Sequence, residues 1–186
     1  MLRKEKCNIL LILLWVCFAS CTKEVDFEQA QDFQVSPIIE SSLIFLDEPA
    51  SQFVENGEEI ETLQDEVLIN IFNDQFVVDN LVKAEFVFEI TNSINRGFQL
   101  QVNFLDGFDQ LLHVLTINVS ATPNNDPIFQ THIETFEGDS LTALNATQKM
   151  VFTLDLLSGS PITESSPGEI ILKSKGIFYF NIDSSL

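Results

Sequence analysis

Alternation of apolar and polar residues is the feature that most constrains the fold of this chain. Between residues 81 and 91, Ala84, Phe86, Phe88 and Ile90 share one parity, and three charged side chains lie on the other. Successive side chains of a strand point to opposite faces, so this pattern predicts a strand with one buried and one solvated face. Similar runs recur down the chain and predict strands at residues 38–46, 66–72, 81–91, 98–104, 111–119, 128–136, 148–156 and 169–182.

Turn-forming residues separate these runs and indicate how they connect. Residues 92–97 end the run at 81–91, and Asp106 and Gly107 open the next turn, so three successive runs predict a meander of consecutive hairpins. About seven to nine antiparallel strands with this spacing are typical of an all-β fold. We expect a β-sandwich, immunoglobulin-like in the broad sense, with a small β-barrel as the alternative.

Phenylalanine, which occurs 17 times, contributes much of the expected core. Phe86, Phe88, Phe104 and Phe152 share their parity with apolar neighbours and are predicted to be buried, which favours a filled core over a ligand cavity. Gly176 interrupts the last run, where the alternation changes parity, and this predicts a bulge or a bend.

The first 21 residues have the organisation of an export signal. Basic residues precede an unbroken apolar run at 9–18, and two small residues then lead to Cys21. This run is too short to cross a bilayer as a helix, so the pattern predicts a signal that is removed. The segment Phe18-Ala19-Ser20-Cys21 resembles the lipobox of bacterial lipoproteins. It departs from that pattern at Phe18, where the family usually has an aliphatic residue, and in this it is similar to the relaxed lipoboxes of Bacteroidota.

The resemblance implies a lipid anchor. Lipobox proteins are acylated at the cysteine, so Cys21 would become the N-terminus, carry acyl chains such as palmitate and hold the protein firmly to a membrane. Thr22 follows the cysteine, which resembles the class sorted to the outer membrane; the periplasmic and cell-surface faces stay open as alternatives. The expected organisation is a lipoprotein signal peptide at 1–20, the acylated cysteine and a flexible acidic tether at 21–36, and a single sandwich domain at 37–186.

Charge and cysteine content exclude several classes of function. Removal of residues 1–20 would leave 6 basic and 27 acidic residues, a net charge of −21. The basic residues form no run, so nucleic-acid binding lacks its electrostatic footprint. Cys7 and Cys17 leave with the signal and Cys21 is acylated, so no disulfide is expected and the core must stabilise the domain.

No catalytic constellation is recognisable in the expected mature chain. It has no free thiol, no Gly-x-Ser-x-Gly motif and two histidines, His113 and His132, each on a predicted strand. The two histidines do not have the spacing of a structural zinc site. We therefore predict a protein that is not an enzyme, with no catalytic residue and no cofactor.

Two acidic turns are the candidates for metal binding. Asp106 and Asp109 lie in one, and Asn124 and Asp126 lie in the other. Calcium takes carboxylate and amide oxygens from loops, although neither turn matches the EF-hand pattern. The same residue types form ordinary turns, because they tolerate left-handed backbone and bond their own main chain. We expect folding without a metal, with these four residues as the calcium candidates.

Ser140 is a candidate modification site. The triplet Asp139-Ser140-Leu141 resembles the O-glycosylation acceptor of secreted Bacteroidota proteins, and the alternative role of Ser140 is to cap one short turn of helix over 141–145. Glycan binding has less support from the composition. Sugar platforms use exposed tryptophan or tyrosine, and outside the signal the chain has one tyrosine, Tyr179, and no tryptophan.

These features predict a non-catalytic binding or structural module of the cell envelope, anchored to the membrane through Cys21. Its expected partner is another envelope protein, which could add a strand to an exposed sheet edge. The alternative is a ligand-binding lipoprotein with a small barrel or cleft for a lipid or a glycan. A concave pocket would favour the ligand, and a flat apolar patch on a solid core would favour the protein partner.

Overall fold

The computed structural model describes residues 34–183, so the predicted signal, Cys21 and most of the predicted tether lie outside the described residues. Two short helices are α1 (Gln75–Asn80) and α2 (Asp139–Ala146), and a 3-10 turn occupies Ala50–Phe53. Among the described residues, no helix has the length and apolar character needed to cross a membrane. The strands are β1 (Gln34–Val35), β2 (Ile38–Pro49), β3 (Val54–Glu55), β4 (Glu58–Glu59), β5 (Thr62–Leu68), β6 (Leu81–Asn92), β7 (Phe98–Leu105), β8 (Leu111–Val119), β9 (Ile128–Phe136), β10 (Lys149–Leu156), β11 (Glu169–Phe180) and β12 (Ile182–Asp183).

Eight of the strands form two four-stranded antiparallel sheets that pack face to face. Sheet I has the order β2-β11-β6-β9, and sheet II has the order β5-β10-β7-β8. This confirms the predicted all-β sandwich, and neither sheet closes into a barrel. The immunoglobulin-like expectation holds in its broad sense of two packed antiparallel sheets, while the four-and-four strand order is that of a jelly roll.

The core lies between the two sheets and is largely aromatic. Phe86 of β6 is central to it, with its ring centroid 5.0 Å from that of Phe136 and 6.0 Å from that of Phe104. The parities assigned to β6, β7 and β10 are confirmed, because the four phenylalanines predicted to be core residues are all buried: Phe86, Phe88, Phe104 and Phe152. Each such ring stabilises the fold by about 1.5–3 kcal/mol relative to an exposed one.

The predicted meander of β6, β7 and β8 is wrong at its first turn. β7 and β8 pair as a hairpin in sheet II, but β6 belongs to sheet I, so residues 93–97 carry the chain from one sheet to the other. Buried Asn92 fixes this crossover, since its Nδ2 donates to the Arg96 and Ser120 carbonyls, both at 2.8 Å. Alternation indicates the two faces of a strand and not its sheet, so it could not distinguish a crossover from a hairpin.

The alternation of β11 is continuous, so the predicted parity change at Gly176 is also wrong. Ser174 and Gly176 occupy inward positions, and these two small residues interrupt the apolar signal without changing the parity. The irregularity lies in the partner strand β2, where Leu43 and Ile44 stand opposite Ser174 as a bulge. Ser174 Oγ repairs the ladder there by accepting a hydrogen bond from Ile44 N–H at 3.0 Å.

The segment between β5 and β6 departs most from expectation. The strand predicted at 66–72 lies instead at β5, four residues earlier in the chain. The prediction missed its position because β5 is an edge strand whose alternation rests on two inward apolar residues, Leu63 and Val67. The chain then enters α1, which the sequence pattern does not predict. Asp74 caps this helix by accepting a hydrogen bond from Phe76 N–H at 2.9 Å.

Candidate functional site

The sandwich is open along one side, where the edge strands β2 of sheet I and β5 of sheet II are not paired with each other. A cavity of about 430 Å³ opens between them, and we name it the first cleft. The lining is mainly apolar and comes from β2, β10, β11, β5 and the segment that leads into α1. It includes Leu43, Val67, Ile69, Phe72, Met150 and Phe178.

The first cleft rests on the aromatic core. The Phe178 ring centroid lies 5.9 Å from that of Phe72 and 6.2 Å from that of Phe86. Gly176 permits this position, because a Cβ atom there would stand 2.5 Å from Phe178 Cζ. The absent side chain at 176 therefore lets the ring lie over β11 and shape the cleft.

Exposed apolar side chains surround the mouth of the first cleft. Ile39 and Ile71 line it and are 49% and 63% exposed. Phe76, which is 51% exposed, stacks on the lining residue Phe180 with ring centroids 5.9 Å apart. Contiguous exposed apolar surface of this kind marks interaction sites on soluble domains.

One charged residue, Glu40, lines the first cleft. Its Oε2 accepts a hydrogen bond from Lys175 Nζ at 2.8 Å. This hydrogen bond raises the pKa of the Lys175 ammonium above its usual value. Both side chains are exposed, so the pair adds little to stability, but it neutralises the one charge beside an otherwise apolar lining.

A second cleft of about 260 Å³ continues along the same side of the sandwich. It uses the next residues of β2 and of β5 over an apolar floor. Glu48 of β2 and Asp65 of β5 are among its lining residues. Both lie on inward positions of their strands, since Glu48 is opposite buried Ile170 and Asp65 is opposite buried Phe152.

The opposite side of the sandwich, between β8 and β9, is closed by polar side chains. His113 Nε2 of β8 lies 2.7 Å from Glu134 Oε1 of β9, and His132 Nε2 lies 3.4 Å from Glu134 Oε2. The His113 ring also packs edge-on against Phe104 and Phe136, with centroids 5.4 and 5.1 Å away. The two sides of the sandwich therefore differ: the β2–β5 side is an open apolar cleft, and the β8–β9 side is closed by a polar seal of His113, His132 and Glu134.

Both histidines lie on strands as predicted from the sequence, but the sequence does not indicate that they share a partner. Their shared carboxylate, Glu134, lies across a boundary between two sheets, and no local pattern indicates which strands meet there. In the described part of the chain, neither His113 nor His132 is hydrogen-bonded to a hydroxyl group. Residues 34–183 also contain no group of three or more His, Cys, Asp or Glu side chains arranged to hold a metal ion.

The four calcium candidates lie in two separate turns. Asp106 closes the β7–β8 hairpin by accepting hydrogen bonds from Phe108 N–H at 2.8 Å and Gln110 N–H at 2.9 Å. Asp109 has a φ of 61° and forms an ion pair with Lys149. These contacts are those of a turn that stabilises a hairpin.

The other turn lies beyond the far end of β8, about 30 Å away along the strand. Asn124 and Asp126 flank Asn125, whose φ is 59° and whose Nδ2 donates to the Ser93 carbonyl at 2.8 Å. The Asp126 carbonyl accepts a hydrogen bond from Thr122 Oγ1 at 2.6 Å. The structure thus gives both pairs of candidates a turn-forming role and does not join them; calcium binding at either turn stays a prediction.

Ser140 lies in the first turn of α2. Its Oγ accepts a hydrogen bond from Glu137 N–H at 3.0 Å and donates to the Glu137 carbonyl at 2.9 Å. The N-cap residue is Gly138, two positions before Ser140, so the predicted capping role of Ser140 is wrong. Glycosylation of Ser140 stays a prediction, and the predicted lipidation at Cys21 lies outside the described residues.

Comparison with known proteins gives similarity at the level of solved structures alone. No family model matches the sequence, and neither does any curated protein. A protein from Parabacteroides distasonis ATCC 8503, described as secreted, aligns with a TM-score of 0.44 and 10% identity over 80% of this chain and 38% of that one. The VP2 subviral particle of infectious bursal disease virus aligns with a TM-score of 0.39 and 5% identity, over 83% of this chain and 33% of the other.

CBM4 aligns with a TM-score of 0.29 and 9% identity, over 65% of this chain and 61% of the other. This chain spans less than half the length of the first two structures. At these levels of similarity, the three structures assign neither a ligand nor a reaction to it.

Proposed function

We propose that the protein is an extracytoplasmic lipoprotein, held at the outer membrane through acylated Cys21, that binds an apolar segment of another envelope protein in the first cleft. It acts as a binding module and not as an enzyme. The observation that carries the proposal is the apolar cleft between β2 and β5, with exposed apolar side chains around its mouth. A partner would cover apolar surface that water now contacts, which is the main driving force of association.

The edge strands favour insertion of side chains over the strand addition that the sequence suggests. β2 is interrupted by its bulge, and β8 has a register shift near Leu105. β5 and β9 carry inward charged residues, Asp65 on the first and Glu134 on the second. Bulges and inward charges are the devices by which sheets prevent edge-to-edge pairing. The partner is therefore expected to fill the cleft with apolar side chains.

A small apolar ligand, such as an acyl chain, is the second candidate, and by the sequence criterion a concave pocket favours it. The exposed apolar side chains around the mouth favour a protein segment, because a ligand inside the cleft would leave them in water. The observation that favours it is the volume of the first cleft, about 430 Å³, which lies within the ~300–1,000 Å³ range of small-molecule sites. Such a ligand would occupy the same lining residues. Photocrosslinking distinguishes it from a protein partner by the chemical nature of the adduct.

A photoreactive amino acid at position 71 tests the proposal in intact cells. Ile71 lines the first cleft and is 63% exposed; the control position is Phe108, which is 87% exposed at the β7–β8 hairpin. We expect one discrete protein adduct from position 71 and none from position 108. Ser41→Trp, which adds a ring at the cleft lining, should abolish the adduct, while Thr131→Trp on the exposed face of β9 should not.

A lipid adduct in place of a protein adduct would support the second candidate. Equal adducts from both positions, or an adduct from position 71 that persists in Ser41→Trp, would show that the first cleft is not the binding site.

A further inference from the structure

We propose that the segment bound on the β2–β5 side is an extended cationic segment of a protein. Its apolar side chains occupy the first cleft, and a lysine or arginine side chain is received between Glu48 and Asp65 in the second cleft. This inference rests on the proposed function and specifies the partner's charge and length.

The two clefts lie end to end along the same pair of strands, and together we call them the groove. The first uses residues 39–43 of β2, Val67 of β5, and Ile69 and Ile71 of the segment after it. The second uses residues 44–46 and Glu48 of β2 and residues 63–65 of β5. At about 3.3 Å per residue, the stretch of β2 that lines them is about 30 Å long. An extended segment of nine or ten residues would span that length.

The two ends of this groove differ in charge. In the first cleft the single carboxylate, Glu40, is paired with Lys175. In the second cleft Glu48 and Asp65 occupy inward positions on the edge strands of the two sheets. Among the described residues, neither of these carboxylates forms an ion pair with a basic side chain. The groove is thus neutral and apolar at one end and anionic at the other.

This charge distribution selects among possible occupants. A neutral segment would remove water from Glu48 and Asp65 without replacing its hydrogen bonds, and an acidic segment or a fatty-acid carboxylate would also be repelled. A lysine or arginine side chain can cover the apolar floor with its methylene groups and place its cationic end between the carboxylates. A cationic protein segment is therefore the occupant that both parts of the groove accept.

Labelled decapeptides provide the probe. Each peptide alternates valine with threonine and carries two lysines at one end or the other; matched peptides carry glutamates at the same positions. Binding is measured by fluorescence anisotropy to the protein purified from the cell envelope and held in nanodiscs of zwitterionic lipid. Of the two lysine peptides, we expect the one whose lysines reach the second cleft to bind about tenfold more tightly than its glutamate counterpart. This preference should weaken as salt is added.

The chain offers a matched pair of double variants. Glu48→Gln with Asp65→Asn removes the two inward carboxylates, and it should abolish most of the preference for lysine. Asp47→Asn with Glu66→Gln removes one carboxylate from each of the same strands, but these residues are on the outward positions and the preference should persist. An equal loss in both double variants would attribute the preference to general acidity and overturn the inference.

Two other results separate this inference from the proposed function. If lysine and glutamate peptides bind equally and Ser41→Trp abolishes both, the first cleft binds peptides and the cationic inference fails. If no peptide binds while myristate does, and Ser41→Trp abolishes myristate binding, a protein segment is not the occupant. If Ser41→Trp weakens the binding of neither the peptides nor myristate, both proposals fail together.

Discussion

Arg96 Nη2 lies 2.7 Å from Glu59 Oε1, and this ion pair joins the crossover between β6 and β7 to strand β4. Arg96 Nη1 also donates to the Ser160 carbonyl at 2.7 Å. Glu59 Oε2 accepts a hydrogen bond from Ile162 N–H at 2.6 Å. The long connection between β10 and β11 is thus fastened to the same two side chains, of which the arginine is buried.

We expect Arg96→Ala to lower the free energy of unfolding by about 3 kcal/mol, because Glu59 would keep its charge without its cation. Urea unfolding measures this directly. Lys173→Ala is the control, since Lys173 is an exposed lysine of β11 and should change stability by less than about 0.5 kcal/mol. A loss for Arg96→Ala no larger than that of the control would show that the ion pair does not fasten these loops.

Sequence reasoning is most successful where burial follows alternation along a single strand. Phe86 and Phe88 of β6 are such positions, and the strands at residues 111–119 and 128–136 have the predicted bounds. It fails where the outcome depends on contacts between distant segments. The crossover after Asn92 is one example, because its hydrogen bond to Ser120 is decided by the folded arrangement.

The first cleft also could not be read from the sequence. Phe178 follows core parity like the other phenylalanines, yet its ring lines a cavity because β2 and β5 leave one side of the sandwich open. Periodicity predicts which face of a strand is apolar. It does not predict whether a neighbouring sheet covers the whole of that face, and here the edge of sheet I remains partly uncovered.

Acidification should remove a contribution of Glu85 on the outer face of sheet I. Glu85 forms an ion pair with Lys83, and Tyr179 Oη donates to Glu85 Oε2 at 2.9 Å. The hydrogen bond from Lys83, and then that from Tyr179, hold the pKa of Glu85 below its usual value. A carboxyl group with a lowered pKa in the folded state contributes stability above its unfolded pKa of about 4.3, and loses it as pH falls through the folded pKa.

We therefore expect Glu85→Gln to lower the Tm at pH 7, and we expect its difference from the parent protein to shrink as the pH falls below about 4.3. Thermal unfolding across this range is the measurement. Glu89→Gln is the control. Glu89 lies on the same outward face of β6, four residues after Glu85, and forms no ion pair among the described residues. A Tm difference for Glu85→Gln that is the same at both ends of the range would assign the effect to something other than its charge.

The polar seal between β8 and β9 should depend on Glu134. Replacing it by alanine leaves His113 and His132 without their shared hydrogen-bond acceptor. We expect Glu134→Ala to cost about 1–2 kcal/mol and to increase hydrogen exchange of the β8 and β9 amides. Thr135→Ala, on the outward face of the same strand, should leave exchange unchanged. If the β8 amides of Glu134→Ala stayed as protected from hydrogen exchange as those of the parent protein, apolar packing alone would close the β8–β9 side of the sandwich.

The first cleft should depend on the absence of a side chain at position 176. In Gly176→Ala the new methyl group would meet the Phe178 ring, so either the ring leaves its place over β11 or the strand shifts. Overpacking of this kind costs about 1–3 kcal/mol. Because the ring is also a wall of the cleft, the substitution should change binding of an apolar dye together with stability.

The double variant Gly176→Ala with Phe178→Leu distinguishes this contact from a general effect of alanine on the strand. Leucine lacks the Cζ atom that the new methyl group would meet, so part of the stability lost in Gly176→Ala should return when Phe178 is also replaced. Urea unfolding of the parent, both single variants and the double variant gives the coupling between the two positions. Residues in direct contact couple by about 0.5–3 kcal/mol, whereas independent sites add. Strict additivity would mean that Gly176 accommodates the backbone of β11 rather than the ring of Phe178, and that another feature sets the shape of the cleft.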